Sequence, residues 1–403
     1  MTFSPGFPFR VATAVGLGLA ALAGSAPDLR AKEEAGGRRF AVEEAENLSL
    51  EAAEGGVRVT IRDPAGRGTH DYLLVPAGGS GDPTGAGTGP GAPARIPVPA
   101  DRIVSLSATY IGALAALDQL DRVVAIDDAD HVYAPGIRER AEAGTILEIG
   151  APERLDLESI LAARPDLVLL TRIGGGGRGL EERLRTAGIP VLVTSAWRET
   201  TPLGRAEWIK LFGHLTGEPD AAARIFAATR DRYRRLAARV KAAAPARPSV
   251  LLSAPYGGVW YVPGGESYSA RLLADAGAAY PWSGEDSTGS VPLDFEAVYR
   301  RALGADFWVN PSDYRSIREL VAADGRFAAF PAVEARRVYN RTARTTAGGG
   351  NDYWETGAVR PDRLLADLVA IFHPAILPDH RPRYYERLPE TLPRSPLRSS
   401  SAR

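Results

Sequence analysis

The sequence predicts an α/β protein of two lobes with parallel-type sheets, joined by one long helix and preceded by a small β-rich segment. Short and almost continuously apolar strands alternate with helical stretches over residues 96–388, which is typical of parallel sheets covered on both faces. One stretch, residues 218–243, has helical composition throughout, and a short motif occurs once on either side of it. A chain of 403 residues is long enough for two separate cores.

The first 95 residues predict three segments. Arg10 precedes an apolar run that ends in small residues, the pattern of a cleavable secretory signal peptide over residues 1–23. Residues 24–76 form the β-rich segment, because 57–61 (VRVTI) alternates apolar and polar residues and a turn at 63–66 (DPAG) leads to a partner strand at 72–75. Residues 77–95 are dominated by Gly and Pro, which predicts a flexible linker.

The N-terminal lobe is predicted over residues 96–217. Apolar strands are expected at residues 103–106, 123–126, 167–170 and 191–193, with helices at 108–117, 157–163 and 180–187. A glycine-rich stretch at 174–179 follows the third strand but lacks the Lys-Ser/Thr ending of a phosphate-binding loop. It is therefore predicted to be a loop at the edge of a cleft.

The bridging helix is predicted over residues 218–243. Pro219 occupies a first helical position, and no further Pro or Gly occurs before Pro245. Phe226, Tyr233 and Val240 fall near one face. At a rise of about 1.5 Å per residue the helix would be on the order of 35 Å long, which is enough to brace two lobes.

The C-terminal lobe is predicted over residues 244–388. Strands are expected at 250–252 and 307–309, and helices at 269–276, 295–302, 317–323 and 361–372. Residues 389–403 are rich in Ser, Arg and Pro, which predicts a disordered tail.

The composition excludes several classes of function. With 45% apolar and 24% charged residues and a net charge of −1, neither nucleic acid nor an anionic membrane is expected as the main partner. The absence of cysteine excludes disulfides, thiolate metal sites and lipid attachment to a cysteine. The five histidines show no metal-binding spacing, and no Gly-x-Ser-x-Gly motif occurs. We therefore expect no enzyme activity, cofactor or resident metal; an α/β enzyme acting on a large anionic ligand is the alternative.

The repeated motif places one glutamate in each lobe. Residues 156–160 (DLESI) and 294–298 (DFEAV) each precede a buried strand, with Glu158 and Glu296 at matching positions. Asp156 and Asp294 fit helix N-caps, and the glutamates would favour the positive end of the helix dipole. The glutamates could instead form matched docking points for cationic side chains of a partner. The motif alone leaves both interpretations open.

Ligands of open α/β sheets gather at the carboxyl ends of strands, and this rule selects candidate binding residues. Aromatic faces together with arginines suit a large, flat or anionic ligand, although ordinary packing is the alternative for each aromatic residue taken singly. Three residues are favoured: Arg172, Tyr256 and Trp260. The full set comprises Thr109, Tyr110, His131, Arg172, Trp197, Tyr256, Trp260, Tyr261, Tyr314, Arg344 and Trp354.

Over residues 96–388 the chain resembles the class III substrate-binding proteins of ABC importers. The resemblance depends on the order and spacing of several motifs rather than on any one of them. These are residues 102–107 (RIVSLS), 150–152 (GAP), 157–160 (LESI), 164–169 (RPDLVL), the long helix, 291–296 (VPLDFE), and 351–357 (NDYWETG) with 359–362 (VRPD).

The resemblance implies two Rossmann-like lobes that hold a ligand in the cleft between them. An iron–siderophore complex is the expected ligand, with haem or cobalamin as alternatives. Glu158 and Glu296 match the family glutamates that meet arginines of the permease, so the implied partner is an ABC permease dimer with its ATPase. A monomeric periplasmic protein is expected, free rather than lipid-anchored because the lipidation cysteine of many relatives is missing. The β-rich segment lies outside the common family core.

Overall fold

The computed structural model describes residues 40–63, 68–78, 92–150, 157–171, 178–243 and 246–391. The predicted signal peptide and most of the predicted linker lie outside these residues. The strands are β1 (Leu48–Ala53), β2 (Gly56–Asp63), β3 (Gly68–Pro76), β4 (Ala94–Val98), β5 (Ile103–Ser105), β6 (Val123–Ile126), β7 (Leu147–Glu148), β8 (Leu167–Thr171), β9 (Val191–Thr194), β10 (Val250–Leu252), β11 (Pro255–Tyr256), β12 (Val259–Pro263), β13 (Ser290–Leu293), β14 (Phe307–Val309), β15 (Val338–Asn340) and β16 (Glu386–Arg387). The helices are α1 (Ala108–Ala116), α2 (Pro135–Glu142), α3 (Leu157–Ala162), α4 (Arg178–Thr186), α5 (Pro202–Glu207), α6 (Ile209–Thr216), α7 (Pro219–Ala243), α8 (Tyr268–Asp275), α9 (Phe295–Ala302), α10 (Ile317–Ala323), α11 (Pro331–Glu334), α12 (Thr356–Val359) and α13 (Pro361–Phe372).

The N-terminal β-rich segment forms a four-stranded sheet in the order β1-β2-β3-β4. The first three strands are antiparallel, and β4 runs parallel to β3. Val59, Tyr72 and Ile96 of this sheet are buried in the same cluster as Ile103 of the lobe. The sheet is therefore part of the N-terminal lobe's core. Because β4 begins at Ala94, the predicted boundary between linker and lobe at residue 95 falls inside a strand.

The N-terminal lobe contains a five-stranded parallel sheet in the order β7-β6-β5-β8-β9. From β5 the chain continues to β6 and then β7 towards one edge of the sheet, and from β8 it continues to β9 towards the other edge. The strand order reverses between these two central strands, and their carboxyl ends mark the position where such sheets bind ligands. Buried apolar clusters cover both faces, as the nearly continuous apolar strands predicted.

The bridging helix α7 is continuous over its 25 residues, as the sequence predicted. Its buried residues Ala222 and Phe226 belong to the core of the N-terminal lobe, whereas Tyr233 and Val240 belong to the core of the C-terminal lobe. One rigid element thus enters both cores. Within the described residues, no helix combines the length and apolar character needed to cross a membrane.

The C-terminal lobe contains two sheets. One has the order β10-β14-β15-β16, in which the first three strands are parallel and β16 is antiparallel. The other, β11-β12-β13, is antiparallel and was not predicted, because its aromatic residues were assigned to a ligand-binding loop.

The described residues extend to residue 391, past the predicted start of the tail at residue 389. The carbonyl oxygens of Pro389 and Glu390 accept hydrogen bonds from the backbone N–H groups of Ile317 and Arg318, at 2.9 and 3.1 Å. These bonds attach the segment to the start of α10, so the predicted boundary is too early.

Candidate functional site

The two lobes meet where a loop after β15 contacts the loop after β6. The backbone N–H of Gly350 donates to the carbonyl oxygen of Asp130 at 2.8 Å. The buried carboxylate of Glu355 accepts from the backbone N–H of Ala134 at 3.0 Å and from that of Tyr133. The segments that follow β6 and β15 therefore meet at the interlobe boundary.

Two glycines allow this close approach of backbone to backbone. A Cβ atom on Gly350 would lie 2.4 Å from the carbonyl oxygen of Val132. A Cβ atom on Gly112, in α1, would lie 2.2 Å from the backbone of Glu355. Neither neighbour is a flexible side chain that could move aside, so any larger residue would separate the lobes at this point.

A cavity of about 280 Å³ opens at the carboxyl ends of β14 and β15. It combines two guanidinium groups with hydroxyl groups and one indole ring. The residues that define its chemistry are Asp313, Arg315, Arg341, Thr342, Thr346 and Trp354.

Arg341 and Trp354 form the chemically distinctive part of this cavity. The guanidinium carbon of Arg341 lies 4.8 Å from the ring centroid of Trp354, and the indole is 43% exposed. The hydroxyl of Thr342 is buried without a hydrogen-bond partner. The cavity therefore offers a cation and an aromatic face to a ligand.

Asn340 fixes the loop that forms one wall of the cavity. Its side-chain amide donates to the carbonyl oxygens of Ser312 and Tyr314, at 2.6 and 3.0 Å. Asn310 and Ser312 have φ angles of +56° and +67°, in the left-handed region that non-glycine residues seldom adopt. Strained backbone of this kind clusters at functional sites and persists when its surroundings hold it in place.

Among the predicted ligand residues of the C-terminal lobe, Trp354 lines this cavity and Tyr314 lies beside it. Tyr314 is half-buried, and burial raises the pKa of its hydroxyl. Arg344 serves a different purpose, because it bonds Asp352 at 2.6 Å and stacks 4.7 Å from the ring of Tyr133. It connects the lobes instead of lining the cavity.

Tyr256 and Tyr261 lie on the antiparallel sheet of the C-terminal lobe. Tyr256 is 83% exposed, and Tyr261 is also exposed. Neither lines the cavity after β14 and β15.

Three predicted residues of the N-terminal lobe, Thr109, His131 and Trp197, follow β5, β6 and β9 in the chain. Thr109 is half-buried in the first turn of α1, and His131 is exposed, 3.6 Å from Asp128. Trp197 is exposed and is covered on one face by Arg198 at 4.3 Å. Arg172 lies outside the described residues.

Two predicted ligand residues, Tyr110 and Trp260, are core residues in the structure. Tyr110 is 2% exposed, and its hydroxyl bonds those of Thr171 and Thr194, the latter at 2.8 Å. Burial raises its pKa to about 12. Trp260 has no exposed surface; its indole N–H donates to the carbonyl oxygen of Leu252 at 3.0 Å. Both assignments are corrected here, because a ligand can reach neither ring.

Replacing Trp260 with Ala is expected to lower the free energy of unfolding by about 3–5 kcal/mol, the usual cost of emptying a buried indole site. The ring lies 5.6 Å from that of Trp308 in an aromatic cluster, so the cavity would be large. Denaturant unfolding followed by circular dichroism measures the change. A loss below about 1 kcal/mol, as is usual for a surface position, would contradict the core assignment.

The repeated glutamates both lie in the first turn of a helix. Glu158 is the second residue of α3 and Glu296 the second residue of α9, and both side chains are exposed. The N-cap interpretation of Asp294 is confirmed, because its carboxylate accepts from the N–H of Ala297 at 2.6 Å; Asp156 lies outside the described residues. Glu296 also forms an exposed ion pair with Arg326 at 3.5 Å.

Sequence reasoning missed much of the cavity lining, above all Asp313, Arg315 and Thr342. The available signal was their position directly after β14 and β15. Selection by aromatic and basic character passed over Asp313 and Thr342, and Arg315 was missed although it is basic. In the described part of the chain, no three His, Cys, Asp or Glu side chains are grouped so that they could hold a metal ion.

The sequence profile of the periplasmic binding protein family matches residues 103–345, more than half of the chain. The chain therefore belongs to this family. The class III resemblance predicted from the sequence is confirmed, and the chain is a substrate-binding protein by family. The sheet β1–β4 lies N-terminal to the matched residues.

Three similar proteins illustrate the relationship. An uncharacterized lipoprotein of Methanocaldococcus jannaschii is 24% identical over 299 residues, covering 72% of this chain and 69% of that protein. A cobalamin-binding protein of Halobacterium salinarum is 29% identical over 199 residues, about half of each chain. The crystal structure of a periplasmic heme binding protein from Pseudomonas aeruginosa superposes with a TM-score of 0.54 and 24% identity, covering 68% of this chain and 94% of that one. The last comparison supports the two-lobed fold alone.

Proposed function

We propose that this protein captures a metal chelate between its lobes and delivers it intact to the permease of an ABC importer. An iron–siderophore complex is the first candidate ligand. The observation that carries the proposal is the cavity after β14 and β15, where Arg341 and Trp354 lie beside the interlobe contact. The proposed location is the periplasm, and the proposed transport partner is a permease dimer with its ATPase.

The chemistry of the cavity favours a chelate over a bare metal ion. The two guanidinium groups of Arg315 and Arg341 outnumber the one carboxylate of Asp313. The cavity would therefore disfavour a free cation but attract the carboxylate or phenolate groups that surround a chelated metal. The exposed face of Trp354 adds a surface for a flat or apolar part of the same ligand. The metal would then be cargo inside its chelator, with the protein binding the organic shell.

Cobalamin is the second candidate. It is supported by the similarity to the cobalamin-binding protein of Halobacterium salinarum, which extends over about half of each chain. Haem is a third candidate, supported only by the resemblance of the sequence to the class III substrate-binding proteins.

The mechanism we propose is capture and delivery without turnover. Helix α7 enters both cores, so it allows only a small hinge motion between the lobes. The ligand-bound form would dock through one glutamate on each lobe. A binder of this kind leaves its ligand chemically unchanged, whereas the alternative, an α/β enzyme, would release a product.

The ligand can be identified by titrating tryptophan fluorescence with a ferric hydroxamate, a ferric catecholate, haem and cyanocobalamin. We expect saturable one-to-one quenching by one of these classes, because Trp354 is exposed in the cavity. Arg341→Ala should weaken that binding about tenfold or more, the equivalent of about 1.4 kcal/mol. Arg318→Ala is the matched control, since Arg318 is exposed on α10 and does not line the cavity.

Two results would contradict the proposal. One is the absence of stoichiometric binding by every chelate in the panel. The other is an Arg341→Ala variant that binds as tightly as the unchanged protein, which would place the ligand elsewhere. Conversion of a bound compound into a product would favour the enzyme alternative.

A further inference from the structure

Residues 40–47, which we term the N-terminal strap, precede the family-matched region and are held against the N-terminal lobe by buried carboxylates. The fully buried carboxylate of Glu207, at the end of α5, accepts backbone N–H bonds from three successive strap residues. The donor–acceptor distances are 3.0 Å for Glu43, 2.6 Å for Glu44 and 3.0 Å for Ala45. Hydrogen bonds to a charged acceptor are about twice as strong as neutral ones.

A second buried carboxylate holds the end of the strap. Glu199 accepts from the backbone N–H groups of Glu46 and Asn47, at 2.9 and 3.0 Å. At the other end, the ammonium group of Lys210 donates to the carbonyl oxygen of Ala41 and to Glu207, at 2.5 and 2.7 Å. Hydrogen bonds to the strap backbone thus fix the strap along its length, independently of contacts made by its own side chains.

Two side chains of the strap reach the bridging helix. Glu43 forms a close ion pair with Arg230, and Glu44 forms one with Arg234. These arginines are one helical turn apart on α7, so two consecutive strap residues hold one face of the helix. Because the strap is already anchored, little further conformational entropy is lost in making these pairs.

The two pairs lie where α7 passes from one lobe to the other. Phe226 packs in the core of the N-terminal lobe, and Tyr233 packs in the core of the C-terminal lobe. Arg230 lies between these two positions and Arg234 directly follows the second. Any rotation of one lobe against the other must bend or shift α7 in this stretch.

The bridging helix is also held by a side chain of the C-terminal lobe. Asp275 accepts a hydrogen bond from the hydroxyl of Tyr233 at 2.8 Å and pairs with Arg271. The pKa of Arg271 is raised chiefly by Asp275, and the carboxylate of Glu44 contributes to the same effect.

We propose that the N-terminal strap braces the hinge, with Glu43 and Glu44 tying the bridging helix to the N-terminal lobe and restricting motion between the lobes. Glu43 and Glu44 are positioning residues in this scheme and make no contact with a ligand. In this proposal the N-terminal strap, which lies outside the common family core, determines how far and how often the cleft opens.

The test compares Glu43→Gln/Glu44→Gln with Glu51→Gln/Glu54→Gln. Both double variants remove two carboxylates, but the control pair is exposed on β1 and the turn after it. Glutamine keeps the backbone N–H groups that bond Glu207, so the strap stays in place. Because the chain has no cysteine, spin labels can be placed at Glu182→Cys on α4 and Arg318→Cys on α10, one on each lobe.

Pulsed dipolar spectroscopy should then show a broader distribution of interlobe distances for the strap variant and an unchanged one for the control. Amide hydrogen exchange in residues 226–236 of α7 should be about three- to tenfold faster in the strap variant, as expected when two anchored ion pairs are lost. Neither measurement needs a ligand, so the outcome is independent of the proposed transport function. Equal distance distributions and equal exchange rates in the two double variants, with both still folded by circular dichroism, would overturn the brace.

Discussion

A Glu158→Arg/Glu296→Arg variant is expected to lose uptake of the transported chelate while its affinity for that chelate stays unchanged. The two glutamates occupy the first turns of α3 and α9, one in each lobe, and both are exposed. If they meet arginines of the permease, charge reversal replaces attraction with repulsion at both docking points. Juxtaposed like charges at an interface cost several kcal/mol, enough to prevent a transient complex.

Uptake of radiolabelled chelate into cells that depend on this protein measures the effect, and fluorescence titration measures affinity separately. A Glu142→Arg/Glu334→Arg variant is the matched control, because these exposed glutamates lie at the ends of α2 and α11, away from the repeated motif. Breaking the exposed pair between Glu296 and Arg326 should leave the stability nearly unchanged, because exposed ion pairs contribute little. Undiminished uptake by the docking variant would refute the role of the two glutamates.

The elements that sequence analysis predicted well are those with an intact local period. Helix α7 is continuous where residues without Pro or Gly predicted it, and the apolar runs at 167–170 and 191–193 are parallel strands. Residues 259–263 also form a strand, in which Trp260 and Val262 are buried and Tyr261 is exposed. The stretch reads VWYVP, without a polar residue between the apolar ones, so its amino acids alone do not show which side chains face the core.

The candidate site was harder to predict because its geometry depends on distant contacts. Glu355 bonds the backbone of Tyr133 across 222 residues of sequence, and nothing local to either residue indicates that contact. Tyr110 was selected because it follows the first lobe strand, yet its position in α1 turns the ring into the core. Strand-end rules locate the edge of the sheet that binds a ligand; which side chains face the cleft depends on packing.

The contact made by Glu355 predicts a second large effect, a fall in stability as the pH rises. Burial raises the pKa of this carboxyl to about 7. The backbone N–H of Tyr133 lowers this pKa, and the negative charge of Asp352 raises it further. Asp352 is itself paired with Arg344 and, at 3.5 Å, with Arg383. The folded protein therefore holds a proton on Glu355 more tightly than the unfolded chain does.

The direction of the effect follows from this difference in proton binding. When folding raises the pKa of a group, the associated stability is fully present at a pH below the pKa of that group in the unfolded chain. It is lost as the pH rises through the pKa of the group in the folded protein. For Glu355 the loss falls between about pH 4.5 and pH 7. A shift of this size corresponds to about 3 kcal/mol.

The unfolding free energy of the unchanged protein should therefore fall between pH 5 and pH 8 by about 3 kcal/mol more than that of Glu355→Gln. The glutamine cannot ionise, so the variant lacks this contribution. The quantity to measure is the difference between the curves of variant and unchanged protein, obtained from urea unfolding at each pH, so that the titration of other groups cancels. Glu386→Gln, at an exposed position on β16, is the control and should leave the curve unaltered. Parallel curves for Glu355→Gln and the unchanged protein would contradict this prediction. They would show that the carboxyl of Glu355 is ionised throughout this pH range, and that a charged group rather than a neutral one holds the lobes together.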